Sequence, residues 1–205
     1  TGCSFGGTNT SGDLINSLST TGGVTNITNN NTGCGTGSLQ YYTYYSALGA
    51  SQIQGQNVNL SMQSGASWSQ GFRVWIDWNN DFDFGDPLED VFVSAASSTA
   101  VQTGSFTVPF SATPGLKRMR VMCRFATVPN LTDFCATGMA YGECEDYNFT
   151  VIAATPCTGQ PVAGTTVSSI ASPCLGQSFV LSLTGTTAAG SLTYQWIQST
   201  TGNPG

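Results

Sequence analysis

The chain has 205 residues, a formal net charge of −6, 8% charged and 40% hydrophobic residues, and no histidine. That composition is too apolar for a disordered chain, and no run approaches the ~18 uninterrupted apolar residues of a membrane-spanning helix. Five Lys plus Arg are too few to grip a phosphate backbone, so no nucleic-acid partner is expected, and without histidine there is no Ser-His or Cys-His pair and no His-liganded zinc.

Residues 1–37 are rich in Gly, Thr, Ser and Asn. Apolar beats at Leu14, Ile15, Leu18, Val24 and Ile27 read as short strands between long turns. The start lacks a basic segment leading into an apolar run, so any export signal is expected to have been removed. Residues 39–47 (LQYYTYYSA) form an aromatic strand whose tyrosines suit either sugar stacking or cross-strand packing on a half-buried sheet. Residues 58–62 alternate apolar and polar, a strand with one wet face. Residues 72–78 (FRVWIDW) give the strongest strand signal, dense in aromatic and β-branched residues. An acidic loop follows, with 91–93 as its return strand. Residues 105–110 alternate as far as Pro109, a strand end or edge. In 116–125 (LKRMRVMCRF), Arg118, Arg120 and Arg124 share one face, with Met119, Val121, Cys123 and Phe125 on the other. Residues 147–152 close the unit.

No long amphipathic helix is found. Many short strands with frequent turns predict an all-β, jelly-roll-like β-sandwich over 1–153. Beyond it, 154–205 is Ser/Thr/Gly-rich and uncharged. Residues 179–183 and 192–196 read as two strands of an immunoglobulin-like β-sandwich, with Trp196 in core position. About 50 residues cannot close such a sandwich, so this part is expected to be the beginning of an immunoglobulin-like domain in a longer modular protein.

Cysteine occurs at Cys3, Cys34, Cys123, Cys135, Cys144, Cys157 and Cys174, never as C-x-x-C. In a Lys-poor, Gly/Ser/Thr/Asn-rich chain these are disulfide candidates in an oxidising compartment, with one left over.

The acidic loop reads D-W-N-N-D-F-D-F-G-D-P-L-E from Asp77. Oxygen-bearing side chains fall at alternate positions: Asp77, Asn79, Asp81 and Asp83. Calcium takes six to eight oxygen ligands, and alternate positions of a tight loop can converge on one ion, so calcium is the expected cofactor. The loop is not an EF-hand: a strand precedes it, Phe82 stands where an EF-hand has Gly, and Glu89 is one place late for the bidentate Glu. A solvated acidic turn is the alternative. A second acidic cluster, Glu143, Glu145 and Asp146, lies just before the last predicted strand. Glu143 and Glu145 share a face if the segment is extended. The cluster completes the calcium shell, or Glu143 and Glu145 pair with Arg118 and Arg120. A carboxylate glycosidase site, drawing on Asp83, Glu143 and Glu145, is the remaining use.

Gly-Glu-Cys-Glu-Asp-Tyr at 142–147 resembles the signature of the GEVED domain, with Cys144 in place of the usual Val. VWIDWNNDFDF at 74–84 is similar to that family's W-I-D-x-N-x-D-G-x-F segment, with Phe82 replacing Gly. VPFSATPGLKRMRV at 108–121 looks like its stretch ending in an R-M-R strand, and Cys3 and the TYYSA segment also fit. The resemblance spans roughly 1–152. It implies a secreted, modular cell-surface protein of the kind common in Bacteroidota and exported by the type IX system. PCTGQPVAGTT at 156–166 and SPCLGQSFVLSLTG at 172–185 resemble immunoglobulin-like repeats of such proteins, which implies a Cys157–Cys174 pair. Cys144 in place of Val implies an extra disulfide with Cys123 or Cys135.

The expected function is a non-catalytic, calcium-stabilised extracellular or cell-surface module for adhesion or ligand recognition, with a glycan or protein ligand. Two alternatives stand: a structural repeat assembling with copies of itself into a fibre, and an accessory domain of a secreted hydrolase. No catalytic residue is assigned.

Overall fold

The computed structural model describes residues 12–34, 41–65, 67–136, 141–155 and 164–186. Cys3, Cys157 and the strand expected at 192–196 lie outside the described residues. In chain order the strands are β1 (Ile15–Thr21), β2 (Thr28–Asn30), β3 (Tyr42–Ile53), β4 (Asn57–Ser64), β5 (Gln70–Ile76), β6 (Asp90–Val93), β7 (Gln102–Thr107), β8 (Gly115–Phe125), β9 (Gly142–Ile152), β10 (Thr165–Ser168) and β11 (Leu181–Thr184). The chain divides into two compact units, Thr1–Ala153 and Ala154–Gly205.

The first unit is an all-β sandwich. One sheet has the order β2-β1-β4-β7 and is antiparallel throughout. The other has the order β3-β9-β8-β5-β6, with β3 and β9 parallel and the remaining pairs antiparallel. Period-two alternation explains the interior. Val58, Leu60 and Met62 of β4 face Phe72, Val74 and Ile76 of β5 and Met119, Val121 and Cys123 of β8, all buried in one cluster. Trp78 and Phe149 close its end, ring against ring at 5.6 Å.

The outer face of the five-stranded sheet is covered as well. Trp75, Met122, Cys144, Tyr41 and Phe84 form a second buried cluster under Phe134 and Ala136. The Trp75 indole donates to the Leu131 carbonyl (3.2 Å), fastening that covering segment. With both faces covered, β5 is buried along nearly its whole length.

Three expectations are corrected here. The acidic cluster at 142–146 is inside β9, not before it. Cys123 pairs with Glu143 and Cys144 with Met122 across the same ladder, so the two cysteines point to opposite faces of one sheet and cannot bond. No disulfide joins any two of the described cysteines, Cys34, Cys123, Cys135, Cys144 and Cys174. In the second unit β10 and β11 form an antiparallel hairpin from Thr165↔Thr184 to Ser168↔Leu181.

Gly142 opens β9 with φ +145°, and a Cβ there would lie 2.2 Å from the Cys123 carbonyl oxygen. Both the left-handed backbone and the close approach require glycine. Gly142→Ala is expected to destabilise the first unit by about 1–3 kcal/mol, read as a lowered midpoint in urea denaturation. An unchanged midpoint would contradict this packing.

Candidate functional site

The acidic loop is closed by its own backbone. Asn79 Oδ1 accepts from the Asp81 amide (3.0 Å), Asp81 Oδ1 from Asp83 (3.2 Å) and Asp83 Oδ1 from Gly85 (2.7 Å). The alternate spacing of side-chain oxygens is thus the spacing of successive Asx turns, each capping the amide two residues on. Asp77 is buried and turned inward, accepting from the amides of Asn80 (2.6 Å) and Phe82 (3.1 Å). Glu89 ties off the far end by accepting from the amides of Trp78 (2.9 Å) and Asp86 (3.3 Å). Burial raises the Glu89 carboxyl above its ordinary value, and those two amide contacts oppose the rise. The Asn79 side-chain nitrogen donates to Asp81 Oδ2 (3.0 Å) and Asp86 Oδ2 (2.6 Å), drawing two carboxylates around one point.

The second acidic cluster is divided by the pleat of β9. Glu143 and Glu145 share a face, as expected, but it is the interior one. They are 1% and 0% exposed and do not approach Arg118 or Arg120 across the sheet. Glu143 Oε2 accepts from the Ile15 amide of β1 (2.8 Å), a link between the two sheets. Glu145 Oε2 accepts from the Tyr147 hydroxyl (2.5 Å), which also accepts from Asn29 Nδ2 (2.8 Å), and Tyr45 stacks on Tyr147 at 5.3 Å. Among the described residues no three acidic or cysteine side chains are placed to share one metal ion. The seven expected ligands are therefore not assembled: Asp77, Asn79, Asp81 and Asp83 stay in the loop, Glu143 and Glu145 sit inside the sandwich, and Asp146 is engaged by arginines.

Asp146 emerges on the outer face and carries the ion pairs. Its Oδ1 accepts from Arg120 Nε (2.7 Å), and its Oδ2 from Arg120 Nη2 (2.7 Å), Arg118 Nη1 (3.1 Å) and the Tyr42 hydroxyl (2.8 Å). Arg120 Nη1 reaches the Phe134 carbonyl (2.7 Å). Burial, then the Asp146 charge, raises the Tyr42 hydroxyl well above its ordinary value, so it remains a donor. The Arg118 guanidinium lies over the Tyr44 ring at 3.7 Å, and the Tyr44 hydroxyl donates to Asn148 Oδ1 (2.7 Å). These groups, with Asp77, Phe82, Phe84 and Leu116, line a cavity of about 400 Å³. Of the tyrosines, Tyr45 packs inside, whereas Tyr42 and Tyr44 face this cavity. The Arg118–Arg120 face was legible in the strand alternation. Their meeting with Tyr42, Asp146 and the acidic loop was not, because no local pattern encodes which elements a sheet brings together.

Desolvation raises the Glu145 carboxyl from 4.5 to about 7, against the opposing hydrogen bond from Tyr147. The folded state therefore holds this proton more tightly than the unfolded chain. Its contribution to stability is full below about pH 4.5 and is lost as pH rises through about 7. The loss is on the order of 3 kcal/mol. Glu145→Gln is expected to flatten this part of the stability profile and to stabilise the protein at pH 8, measured by urea denaturation from pH 4 to 8. An equally steep profile in the variant would refute the assignment.

Residues 71–150 match the family model of the GEVED domain. No curated protein and no solved structure matches the chain. The matched span begins within β5 and ends within β9, so it takes in the acidic loop, the arginine strand and the 142–147 signature. The chain carries a GEVED domain, which lies in its first compact unit.

Proposed function

We propose that the chain is a non-catalytic extracellular recognition module whose ligand site is the cavity beside Tyr44 and Arg118. One observation carries this reading: a cavity of about 400 Å³ whose wall combines aromatic faces with an ion-paired guanidinium cluster. That mixture of apolar walls and a few fixed polar groups is what small-ligand sites require. A glycan suits it better than a flat protein surface, because the aromatic faces offer stacking area inside a concavity.

The non-catalytic reading has its own support. The carboxylates a glycosidase site would draw on are Asp83, Glu143 and Glu145. Glu143 and Glu145 are sealed inside the sandwich, out of reach of a substrate, and Asp83 caps a turn through Gly85. The GEVED match and the low charge fit an extracellular, surface-attached module. Among the described residues no helix is long and apolar enough to cross a membrane.

Calcium belongs to the proposal at one place, the outer edge of the acidic loop. The Asn79 amide sits between Asp81 Oδ2 and Asp86 Oδ2, and a divalent ion taking that position would neutralise two carboxylates that otherwise repel. Asp77, Glu143, Glu145 and Asp146 take no part in it.

Two measurements test these readings. The full chain is expected to bind a member of a glycan array, and Tyr44→Ala to abolish that binding with the fold intact by circular dichroism. Binding that survives Tyr44→Ala would move the site elsewhere. Millimolar calcium is expected to raise Tm by several degrees over EDTA, as binding to the native state alone must, and Asp86→Asn to remove the difference. The same Tm in both buffers would dispose of the ion.

A further inference from the structure

We propose that the cavity selects saccharides bearing a carboxylate and that Arg118 is the group that reads the charge. The inference rests on the recognition reading above and names its ligand class. The charge balance at the outer face carries it. Arg118 and Arg120 share the single carboxylate of Asp146. Arg120 is satisfied, with Nε and Nη2 on Asp146, Nη1 on the Phe134 carbonyl, and its side chain buried. Arg118 reaches Asp146 through Nη1 alone, at the longer distance of 3.1 Å, and its side chain is 38% exposed.

The cavity's other two charges do not alter this. Asp77 spends both oxygens on backbone amides, and Lys117 is buried with its ammonium donating to Thr113. One positive charge is therefore left facing the cavity, in a chain whose net charge is −6. Arg118 is also held in place. Seated over the Tyr44 ring at 3.7 Å, its guanidinium is already placed to meet a planar carboxylate.

The rim decides for a saccharide over an acidic peptide. Phe82 is 87% exposed and has φ +73°, a left-handed backbone that bulky side chains seldom adopt. Burial does not account for its place. With Tyr44 and Leu116, both also exposed and lining the same cavity, it offers apolar surface near the guanidinium, suited to the C–H face of a sugar ring whose carboxylate reaches Arg118.

The test uses the full chain and calorimetric titration with oligogalacturonate, oligomannuronate and oligoguluronate, each beside its methyl ester, which keeps the ring and removes the charge. At least one acid is expected to bind tenfold or more tightly than its ester, with the preference shrinking as salt is raised. Arg118→Gln should erase that preference, the acid binding no more tightly than its ester. Arg118→Lys should retain only part of it. Arg124→Gln, at a residue paired with Asp133, should leave it intact, and Phe82→Ala should weaken acid and ester alike. Equal affinity for acid and ester, both lost in Phe82→Ala, would overturn the charge selection and leave the glycan module standing. Poly-glutamate competing as strongly as the uronates would overturn the saccharide assignment. No binding to any of the six by the folded chain, alongside glycan-array binding of neutral sugars, would refute the inference alone. Silence in both assays would refute it together with the recognition reading.

Discussion

A single carboxylate, Asp146, organises the outer face of the five-stranded sheet. A buried, unpaired carboxylate costs several kcal/mol, and an ion pair in such a place holds only if its remaining lone pairs are also met. Asp146 meets that condition with four donated hydrogen bonds from Arg120, Arg118 and Tyr42. Arg120 passes the constraint on, since its third contact is the Phe134 carbonyl, in the segment that covers Trp75. Removing either member of the Asp146–Arg120 pair would leave the other buried and uncompensated, a cost of about 3–5 kcal/mol. The cavity exists because this pair fixes one wall and the acidic loop fixes the other.

The strand that carries Asp146 works on both faces at once. Successive side chains of β9 point to opposite sides, so Glu143 and Glu145 enter the interior while Cys144 and Asp146 face outward. Glu143 receives an amide of the opposite sheet, and Glu145 joins a tyrosine cluster next to β2. The acidic signature is therefore a structural tie between sheets on one side and the foundation of a charged face on the other. Cys144 fits this arrangement without a disulfide to any other described cysteine. Opposite Met122, in a cluster with Trp75 and Tyr41, it acts as a small apolar side chain where the family signature has Val.

What was legible in the sequence followed from alternation. The faces of 116–125 were assigned correctly because period two leaves no freedom once the strand is accepted. The segment 142–146 was not read as strand, because three acidic side chains in five residues contradict the apolar pattern that strands are recognised by. Their partners lie far away, Glu143 meeting Ile15 across 128 residues, and no local signal marks such a pairing. The acidic loop was ambiguous for a different reason. Oxygens at alternate positions suit calcium coordination and a run of Asx turns equally well, and the turns are what the backbone hydrogen bonds form. The Cys123–Cys144 pairing failed through one residue of register, which reverses the face.

The loop's geometry bears on why Phe82 stands where the resembling segment has Gly. A bulky residue in left-handed backbone costs roughly 1–2 kcal/mol, and at 87% exposure Phe82 recovers almost none of that through burial. The loop keeps the conformation because other groups determine it. Asp77 accepts the Phe82 amide, Asp81 and Asp83 cap the turns on either side, and Glu89 closes the ends. Strain maintained by its surroundings and not offset by packing is characteristic of positions that act on something outside the chain. With Gly at 82 the loop would close just as well and present nothing. The aromatic ring is what the strain secures, and it lines the same cavity as the partly exposed Arg118 guanidinium.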